Sequence, residues 1–293
     1  MTGDTGDTGD TGDTGDTGDV GGSGGAGVGW RFPDRVDLPF LTEKDVAHQF
    51  IDQHKFGERN WAASWYAWLV LADFGTTKWR EIVVKPPPDL ACSRKEIECT
   101  LQPMALDERA DALGEIIAQA SGFTSYITAV LGATPRKYPA TFLVLSIANL
   151  VAAMVVMHFK GKFDRPRPTQ LCPALLPPIP VPGHASYPSG HSTQAHLFAL
   201  CATYMLPKSR QESMGLVLRR LADRIARNRE IAGFHYPSDS CAGVELAKAI
   251  FDILNDDQAM SCSGEPSKFA AAMKSAQKEW EQGGYGHGGD HAG

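Results

Sequence analysis

The sequence lacks several features that would place it in familiar classes. Its six cysteines are scattered without Cys-x-x-Cys spacing, so neither a zinc site nor a small disulfide scaffold is indicated. Six of the 34 acidic residues lie in a Thr-Gly-Asp repeat, and the other 28 are balanced by 28 Lys and Arg, so there is no basic excess of the kind that binds nucleic acid. No cationic start with an apolar run precedes Arg31, so no signal peptide is readable and we expect a cytoplasmic location.

The two ends of the chain have little apolar material to bury. Residues 1–29 are six Thr-Gly-Asp copies followed by a Gly-rich run, and residues 283–293 are rich in Gly and His. Such compositions are typical of solvated tails, and we predict that both segments are flexible. Residues 30–282 then form a single domain.

Between the tails, the apolar residues recur with a helical period, and no run of alternating β-branched residues indicates a sheet. The Pro-rich stretches 86–88 and 166–182 are predicted to be loops. We therefore predict an all-α fold, a single helical bundle. Its predicted helices are Leu41–Phe56, Trp61–Phe74, Leu106–Leu131, Ala140–Lys160, Ser192–Leu206, Glu212–Ala232, Ser238–Leu254 and Ser267–Gln282.

Two apolar features allow more than one interpretation. Residues 140–159 are twenty residues without a charge, long enough to span a bilayer, but they include Asn149 and no second such segment exists. We interpret them as the central buried helix of the bundle, and do not expect a membrane-embedded protein. The stripe formed by Trp61, Trp65 and Trp68 is interpreted as core, with an oligomer interface as the alternative.

Three blocks of the sequence carry chemistry, and the first is cationic. Lys160 lies six residues before Arg167-Pro168. Lys160 is predicted to close the long apolar helix, while Gly161, Pro166 and Pro168 break it and bring Arg167 back in an extended segment. Lys and Arg are the usual partners of phosphate oxygens, although a basic helix terminus alone would also show this pattern.

The second block is Pro188-Ser189-Gly190-His191, just before an apolar helix. Proline suits the first turn, and glycine allows close backbone approach, so the free N–H groups of this turn can bind an anion at the positive end of the helix. His191 then stands where a general acid could protonate a leaving oxygen. A plain helix cap is the alternative.

The third block is Arg229, five residues, His235, three residues and Asp239. Asp239 lies one helical turn after His235, so its carboxylate can accept the proton on one ring nitrogen. The other nitrogen is then left as a nucleophile, and Arg229 adds a third cation. A structural His–Asp pair at a helix start is the alternative.

Taken together, the three blocks resemble the signature of the type 2 phosphatidic acid phosphatase superfamily. Its pattern is Lys-x6-Arg-Pro, Pro-Ser-Gly-His and Ser-Arg-x5-His-x3-Asp, and residues 160–239 match every spacing. The one departure is Asn228, where the family usually has Ser. Arg165-Pro166 duplicates the Arg-Pro pair, but only Arg167 has the required spacing from Lys160.

The resemblance implies a mechanism that uses no metal and no cofactor. His235 would attack phosphorus to form a phosphohistidine, oriented by Asp239, and His191 would protonate the departing alcohol. Water would then hydrolyse the intermediate. The phosphate-binding groups would be Lys160, Arg167, Ser189, Gly190 and Arg229.

The superfamily contains bacterial class A acid phosphatases, membrane lipid phosphatases and vanadium-dependent haloperoxidases. A soluble, acid phosphatase-like hydrolase of small phosphate monoesters is the first hypothesis, because the haloperoxidases are usually much larger. The alternative is a haloperoxidase that holds vanadate as its cofactor, since His184 in the loop before Pro188 also resembles the algal bromoperoxidases. A non-catalytic anion-binding scaffold is the third possibility.

Overall fold

The computed structural model of the chain describes residues 61–262 and 264–283. Within these two ranges the regular structure is helical apart from one bridge between Cys262 and Glu265, which confirms the all-α prediction. Two 3-10 turns, Trp79–Glu81 and Pro173–Leu175, and one π turn, Ile97–Leu101, link the α-helices. The α-helices are α1 (Ala63–Gly75), α2 (Leu90–Glu96), α3 (Gln102–Asp107), α4 (Arg109–Ala118), α5 (Thr124–Leu131), α6 (Pro139–Phe163), α7 (Pro168–Leu171), α8 (Gly190–Met205), α9 (Lys208–Ile231), α10 (Pro237–Leu254), α11 (Asp257–Met260) and α12 (Lys268–Glu281).

Helices α6 and α8 form the centre of the bundle. Helix α6 is apolar on nearly every side, so it buries most of its length against α1, α8 and α12. Helix α8 is buried from Gly190 to Ala199 and packs against α6, α9 and α10. A smaller apolar cluster, built around Leu101, Ile116, Phe234 and Tyr236, lies apart from this main core.

A buried carboxylate from α12 fixes the start of α6. Glu279 accepts hydrogen bonds from the backbone N–H groups of Ala140 (2.6 Å) and Thr141 (3.0 Å). The hydroxyl of Thr141 donates to Glu279 (2.9 Å) and accepts from the indole N–H of Trp280 (3.0 Å). A negative group at the N-terminus of a helix is stabilising. Because helices are stiff, this anchor also fixes the far end of α6, which carries Lys160.

Three features differ from the sequence-based expectation. The segment predicted as one helix, Leu106–Leu131, is divided into α3, α4 and α5, and Gly122 in the α4–α5 break has a φ of 148°. Helix α6 continues through Gly161 to Phe163, and Asp164 ends it with a φ of 47°. The tryptophan stripe is not core, because Trp65 and Trp68 are 58% and 47% exposed.

Some predictions fall outside the described residues. They are the flexible tail 1–29, the helix Leu41–Phe56 and residues 284–293 of the C-terminal tail. The division of the chain into one domain at 30–282 and two tails therefore stays a prediction.

Candidate active site

The end of α6 and the Arg-Pro segment bring two buried cations together with the loop before α8. The ammonium of Lys160 donates to the carbonyls of Ala185 (2.7 Å) and Ser186 (3.0 Å). The left-handed conformation of Asp164 turns the chain, and Arg167 then donates from Nε to the carbonyl of His184 (2.9 Å) and from Nη1 to that of Phe234 (3.1 Å). A carbonyl has no net charge, so these bonds orient the cations without cancelling their charge.

The turn before α8 is held by a side-chain cap and by tight packing against α10. Ser189 caps the helix by accepting from the N–H of Ser192 (3.3 Å), and its own N–H donates to the carbonyl of Asp239 (3.1 Å). Gly243 of α10 lies so close that an added Cβ would stand 2.9 Å from the carbonyl oxygen of Ser189 and 2.8 Å from the Cβ of Ser192. Glycine at position 243 therefore permits the approach of α10 to the start of α8.

His235 lies in the turn between α9 and α10. Gly233 ends α9 with a φ of 82°, a conformation that favours glycine, and the N–H of Phe234 returns to the carbonyl of Arg229 (3.0 Å). Helix α10 then begins at Pro237, and its first turn carries Asp239. Nδ1 of His235 lies 3.0 Å from Oδ2 of Asp239, and both side chains are fully buried.

Asp239 is held ionised by its neighbours. Burial alone would raise its pKa, but the hydrogen bond and the charge of His235, the charge of Arg165 and the hydrogen bond from Ser186 together hold the pKa below its usual value. An ionised carboxylate only accepts, so Nδ1 of His235 carries the hydrogen. In the neutral form of the ring, the lone pair of His235 is then on Nε2, as a nucleophile requires.

The other histidine, His191, is oriented by a backbone carbonyl. Its Nε2 lies 3.0 Å from the carbonyl oxygen of Gln119, just beyond the end of α4, and its ring lies 5.1 Å from that of Phe123. Because a carbonyl oxygen only accepts, Nε2 carries hydrogen. A proton passed to a leaving group by the imidazolium would therefore come from Nδ1.

The third cation meets the same end of α4. Arg229 donates from Nη2 to the carbonyl of Ile116 (2.8 Å). The neighbouring Asn228 donates to Glu115 (2.8 Å) and to the side chain of Gln119 (3.0 Å). An amide has two donor hydrogens and a hydroxyl has one, so Asn228 makes a pair of bonds that the Ser usual in the resemblance would not make.

Hydrogen bonds join the three blocks although up to 79 positions separate their ends in the sequence. Ser186, whose carbonyl accepts from Lys160, donates its hydroxyl to Asp239. Arg167 reaches the carbonyl of Phe234, next to His235, and the N–H of Ser189 reaches the carbonyl of Asp239. All eight residues of the predicted site are buried, namely Lys160, Arg167, Ser189, Gly190, His191, Arg229, His235 and Asp239.

Comparisons with known proteins find similarity over the part of the chain that contains these blocks. The sequence pattern of the PAP2 superfamily matches residues 139–254, which contain all three blocks. The decaprenylphosphoryl-5-phosphoribose phosphatase of Mycobacterium tuberculosis (strains CDC 1551 / Oshkosh and ATCC 25618 / H37Rv) is 30% identical over 131 residues, which cover 44% of this chain and 68% of the relative. The chain belongs to the PAP2 superfamily. Family membership and this relative identify it as a phosphatase.

A transmembrane PAP2 phosphatidylglycerolphosphate phosphatase from Bacillus subtilis is among the solved structures that match. It shares 14% sequence identity with this chain at a TM-score of 0.34, over 64% of this chain and 90% of that one. In the present structure, the segment Pro139–Leu171 is long and apolar enough to cross a membrane, with 61% of its most apolar window buried. The prediction of a cytoplasmic location is wrong, because this apolar helix points to association with a membrane. The expectation that the protein is not embedded in a membrane loses its support for the same reason.

Sequence reasoning missed several residues that surround the PAP2 blocks. The spacing from Lys160 does not select Arg165, yet this side chain forms a buried ion pair with Asp239 and another ion pair with Glu96 (3.0 Å). The duplicated Arg-Pro pair was the one signal that pointed to it. Ser186 and Gln119 contact the two histidines, but nothing in their local sequence distinguishes them from ordinary loop residues.

Within the described ranges, no three His, Cys, Asp or Glu side chains are arranged to hold a metal ion. Burial raises the pKa of the Cys201 thiol in α8.

Proposed function

We propose that the chain is a membrane-associated phosphatase that hydrolyses phosphate monoesters through a phosphohistidine on His235. One observation carries the proposal: the ring of His235 is fully buried and held through Nδ1 by an ionised Asp239, which directs the lone pair of Nε2 to reaction. The cations of the first block lie within one hydrogen-bond network with this pair.

The proposed reaction has two steps, and the same groups serve both. In the first, Nε2 of His235 forms a bond to phosphorus while the bond from phosphorus to the ester oxygen breaks. The alcohol leaves with a proton from Nδ1 of His191. In the second, His191 takes a proton from water, the water oxygen attacks phosphorus, and the P–N bond breaks to release phosphate.

Charge develops on the three equatorial oxygens during both steps. The proposed ligands are the side chains of Lys160, Arg167 and Arg229, the hydroxyl of Ser189 and the N–H of Gly190. Since all these groups are buried, their attraction for the charge is weakened little by water. Their positions are fixed by carbonyl oxygens before substrate binds.

The substrate class is proposed to be a lipid-linked phosphate monoester. The Mycobacterium tuberculosis relative is named as a decaprenylphosphoryl-5-phosphoribose phosphatase, and the long apolar helix of the present chain fits association with a membrane. Beside Arg167 and His184 lies a cavity of about 870 Å³, whose other walls include Pro173, Pro177 and Val181. We propose that it takes the part of the alcohol that adjoins the phosphate.

The experiment is phosphate release by the full chain in detergent, from a lipid-linked monoester and from a water-soluble chromogenic one. His235→Ala is expected to abolish release, whereas His158→Ala, at an exposed histidine of α6, should leave it unchanged. Retained activity in His235→Ala would refute the mechanism. A preference for the soluble ester would refute the proposed substrate class.

The haloperoxidase alternative has less support, because the relatives described above are phosphatases. The same preparations test it when they are incubated with vanadate, bromide and peroxide. We expect no bromination and inhibition of phosphate release, since vanadate adopts the trigonal-bipyramidal shape of the phosphoryl transition state. Bromination by the vanadate-loaded protein would favour the alternative.

A further inference from the structure

Arg165 is bonded to the carboxylate that orients His235. Its Nη1 donates to Oδ1 of Asp239 and to the hydroxyl of Ser238 (2.8 Å), and its side chain is 4% exposed. The other carboxylate oxygen, Oδ2, accepts from Nδ1 of His235 and from the N–H of Tyr236 (3.1 Å). Arg165 thus fixes one oxygen of Asp239, while the other is left to face the histidine.

The opposite edge of the guanidinium is held by α2. Nη2 of Arg165 donates to the hydroxyl of Ser93 (2.7 Å) and to Oε2 of Glu96 (3.0 Å). Glu96 also accepts from the N–H and the hydroxyl of Ser238, both at 2.8 Å. The guanidinium carbon lies 3.7 Å from the centre of the Tyr236 ring. A planar group held along two edges and one face has little freedom to turn.

These contacts form a continuous line from Glu96 through Arg165 and Asp239 to His235. We propose that Arg165 and Glu96 are positioning residues that set the orientation and the basicity of the His235–Asp239 pair. The inference rests on the proposed role of His235 as the nucleophile. Arg165 differs from Arg167, whose guanidinium donates to carbonyl oxygens, because both edges of Arg165 meet a carboxylate.

The alternating charges along the line give Arg165 and Glu96 opposite effects on the pair. The cation of Arg165 opposes protonation of His235 and Asp239, whereas the anion of Glu96 favours it. Removal of Arg165 should therefore raise the apparent pKa of the pair, and removal of Glu96 should lower it. The other titratable or charged groups around the pair are Lys160, Arg167, Tyr187, Glu230, Tyr236 and Cys241, and all of them stay unchanged in these variants.

The test uses four variants of the full chain: Arg165→Gln, Arg165→Lys, Glu96→Gln and, as a charge-matched control on the exposed side of α9, Arg220→Gln. For each, kcat and KM are measured against pH with a chromogenic monoester. The imidazole of His235 is titrated separately by NMR without substrate. Circular dichroism checks that each variant is folded.

We expect the acid limb of kcat/KM to move up by about one pH unit in Arg165→Gln and to move down in Glu96→Gln. Arg165→Lys keeps the positive charge, so its pH profile should stay in place. Because lysine lacks the two N–H edges of a guanidinium, kcat should fall on the order of 10- to 100-fold at unchanged KM. Arg220→Gln should match the wild type. A role in folding alone would not produce shifts of opposite sign.

The outcomes separate this inference from the proposed function. Wild-type pKa values of His235 in both Arg165→Gln and Glu96→Gln would overturn the inference, even if phosphate release depends on His235. If the two variants shift the titration of His235 in opposite directions but the wild type releases no phosphate, the inference is supported and the proposed phosphatase function is refuted. If Arg165→Gln fails to fold, the sign of the shift in Glu96→Gln decides.

Discussion

Different hydrogen-bond acceptors give the two histidines of the site different chemistry. The carboxylate of Asp239 takes the proton on Nδ1 of His235, and the carbonyl of Gln119 takes the proton on Nε2 of His191. A carboxylate stabilises an imidazolium more strongly than a carbonyl does, because it carries a full charge. In the proposed mechanism the two rings therefore present opposite nitrogens to the substrate, one suited to attack on phosphorus and the other to proton transfer.

The role of His191 as proton donor predicts a dependence on the leaving group. In His191→Ala, an alkyl phosphate should lose on the order of 100-fold in kcat/KM, because its alkoxide leaves poorly without a proton. A nitrophenyl phosphate should lose much less, because its phenolate leaves unaided. Steady-state kinetics on a series of esters of graded alcohol pKa measures this difference.

His196→Ala is the matched control for the His191 variant. His196 lies in the same helix and bonds to the carbonyl of Ser192 (2.7 Å) and to Asp223 (3.1 Å), outside the three blocks. Its effect should be the same for every ester. Equal losses on alkyl and nitrophenyl esters in His191→Ala would contradict its role as the proton donor.

At the scale of helices, the site depends on the close approach of α10 to the start of α8. In Gly243→Ala the new methyl group would meet the carbonyl of Ser189 and the side chain of Ser192 within 2.9 Å, so the two helices must move apart. We expect a loss of about 1–3 kcal/mol in the free energy of unfolding and a lower kcat. Urea unfolding and phosphate release measure the two effects.

Gly114→Ala is the control for that substitution. Gly114 lies in α4 with nothing within 4 Å of an added Cβ, so alanine should stabilise its helix by up to about 1 kcal/mol. If Gly243→Ala were as stable and as active as Gly114→Ala, the close contact between α8 and α10 would not matter to the site.

The sequence predicted the positions of the helices and of the three blocks better than the ends of the helices and the contacts between them. The start of α8 and that of α10 lie within two residues of their predicted positions, because Pro188 and Pro237 mark helix starts. The end of α6 was misplaced, because Gly161 is tolerated in a helix and the left-handed Asp164 has no sequence signature. Gly122 lies in the break that the helical period alone did not reveal.

Contacts between distant residues were the part that no local pattern could reveal. The spacing from Lys160 pointed to Arg167 and away from Arg165, but the partners of Arg165 lie on α2 and α10, about 70 positions away in either direction. Asn228 departs from the Ser-Arg pattern of the family. The pattern does not reveal that its amide donates to the side chain of Gln119, whose backbone carbonyl accepts from His191. The tryptophan stripe matched the period of a core helix, and period alone does not show which face is covered.

At the scale of the whole molecule, buried candidate catalytic side chains are combined with exposed tryptophans. His235, Asp239 and His191 are fully buried, while Trp65 and Trp68 of α1 are exposed beside the long apolar helix α6. Exposed tryptophan is typical of surfaces that meet the headgroup region of a bilayer. This arrangement agrees with a membrane-associated PAP2 phosphatase whose reactive groups are screened from water.

The central claim is that groups from α6, α8, α9 and α10 surround one phosphoryl group and that His235 carries it. The most direct measurement is acid-sensitive phosphoenzyme, trapped by rapid quench from a labelled monoester and located by mass spectrometry under alkaline conditions. The account predicts phosphate on Nε2 of His235 in the wild type and none in His235→Ala. Phosphate on another residue, or rapid turnover with no phosphoenzyme at any time, would contradict it.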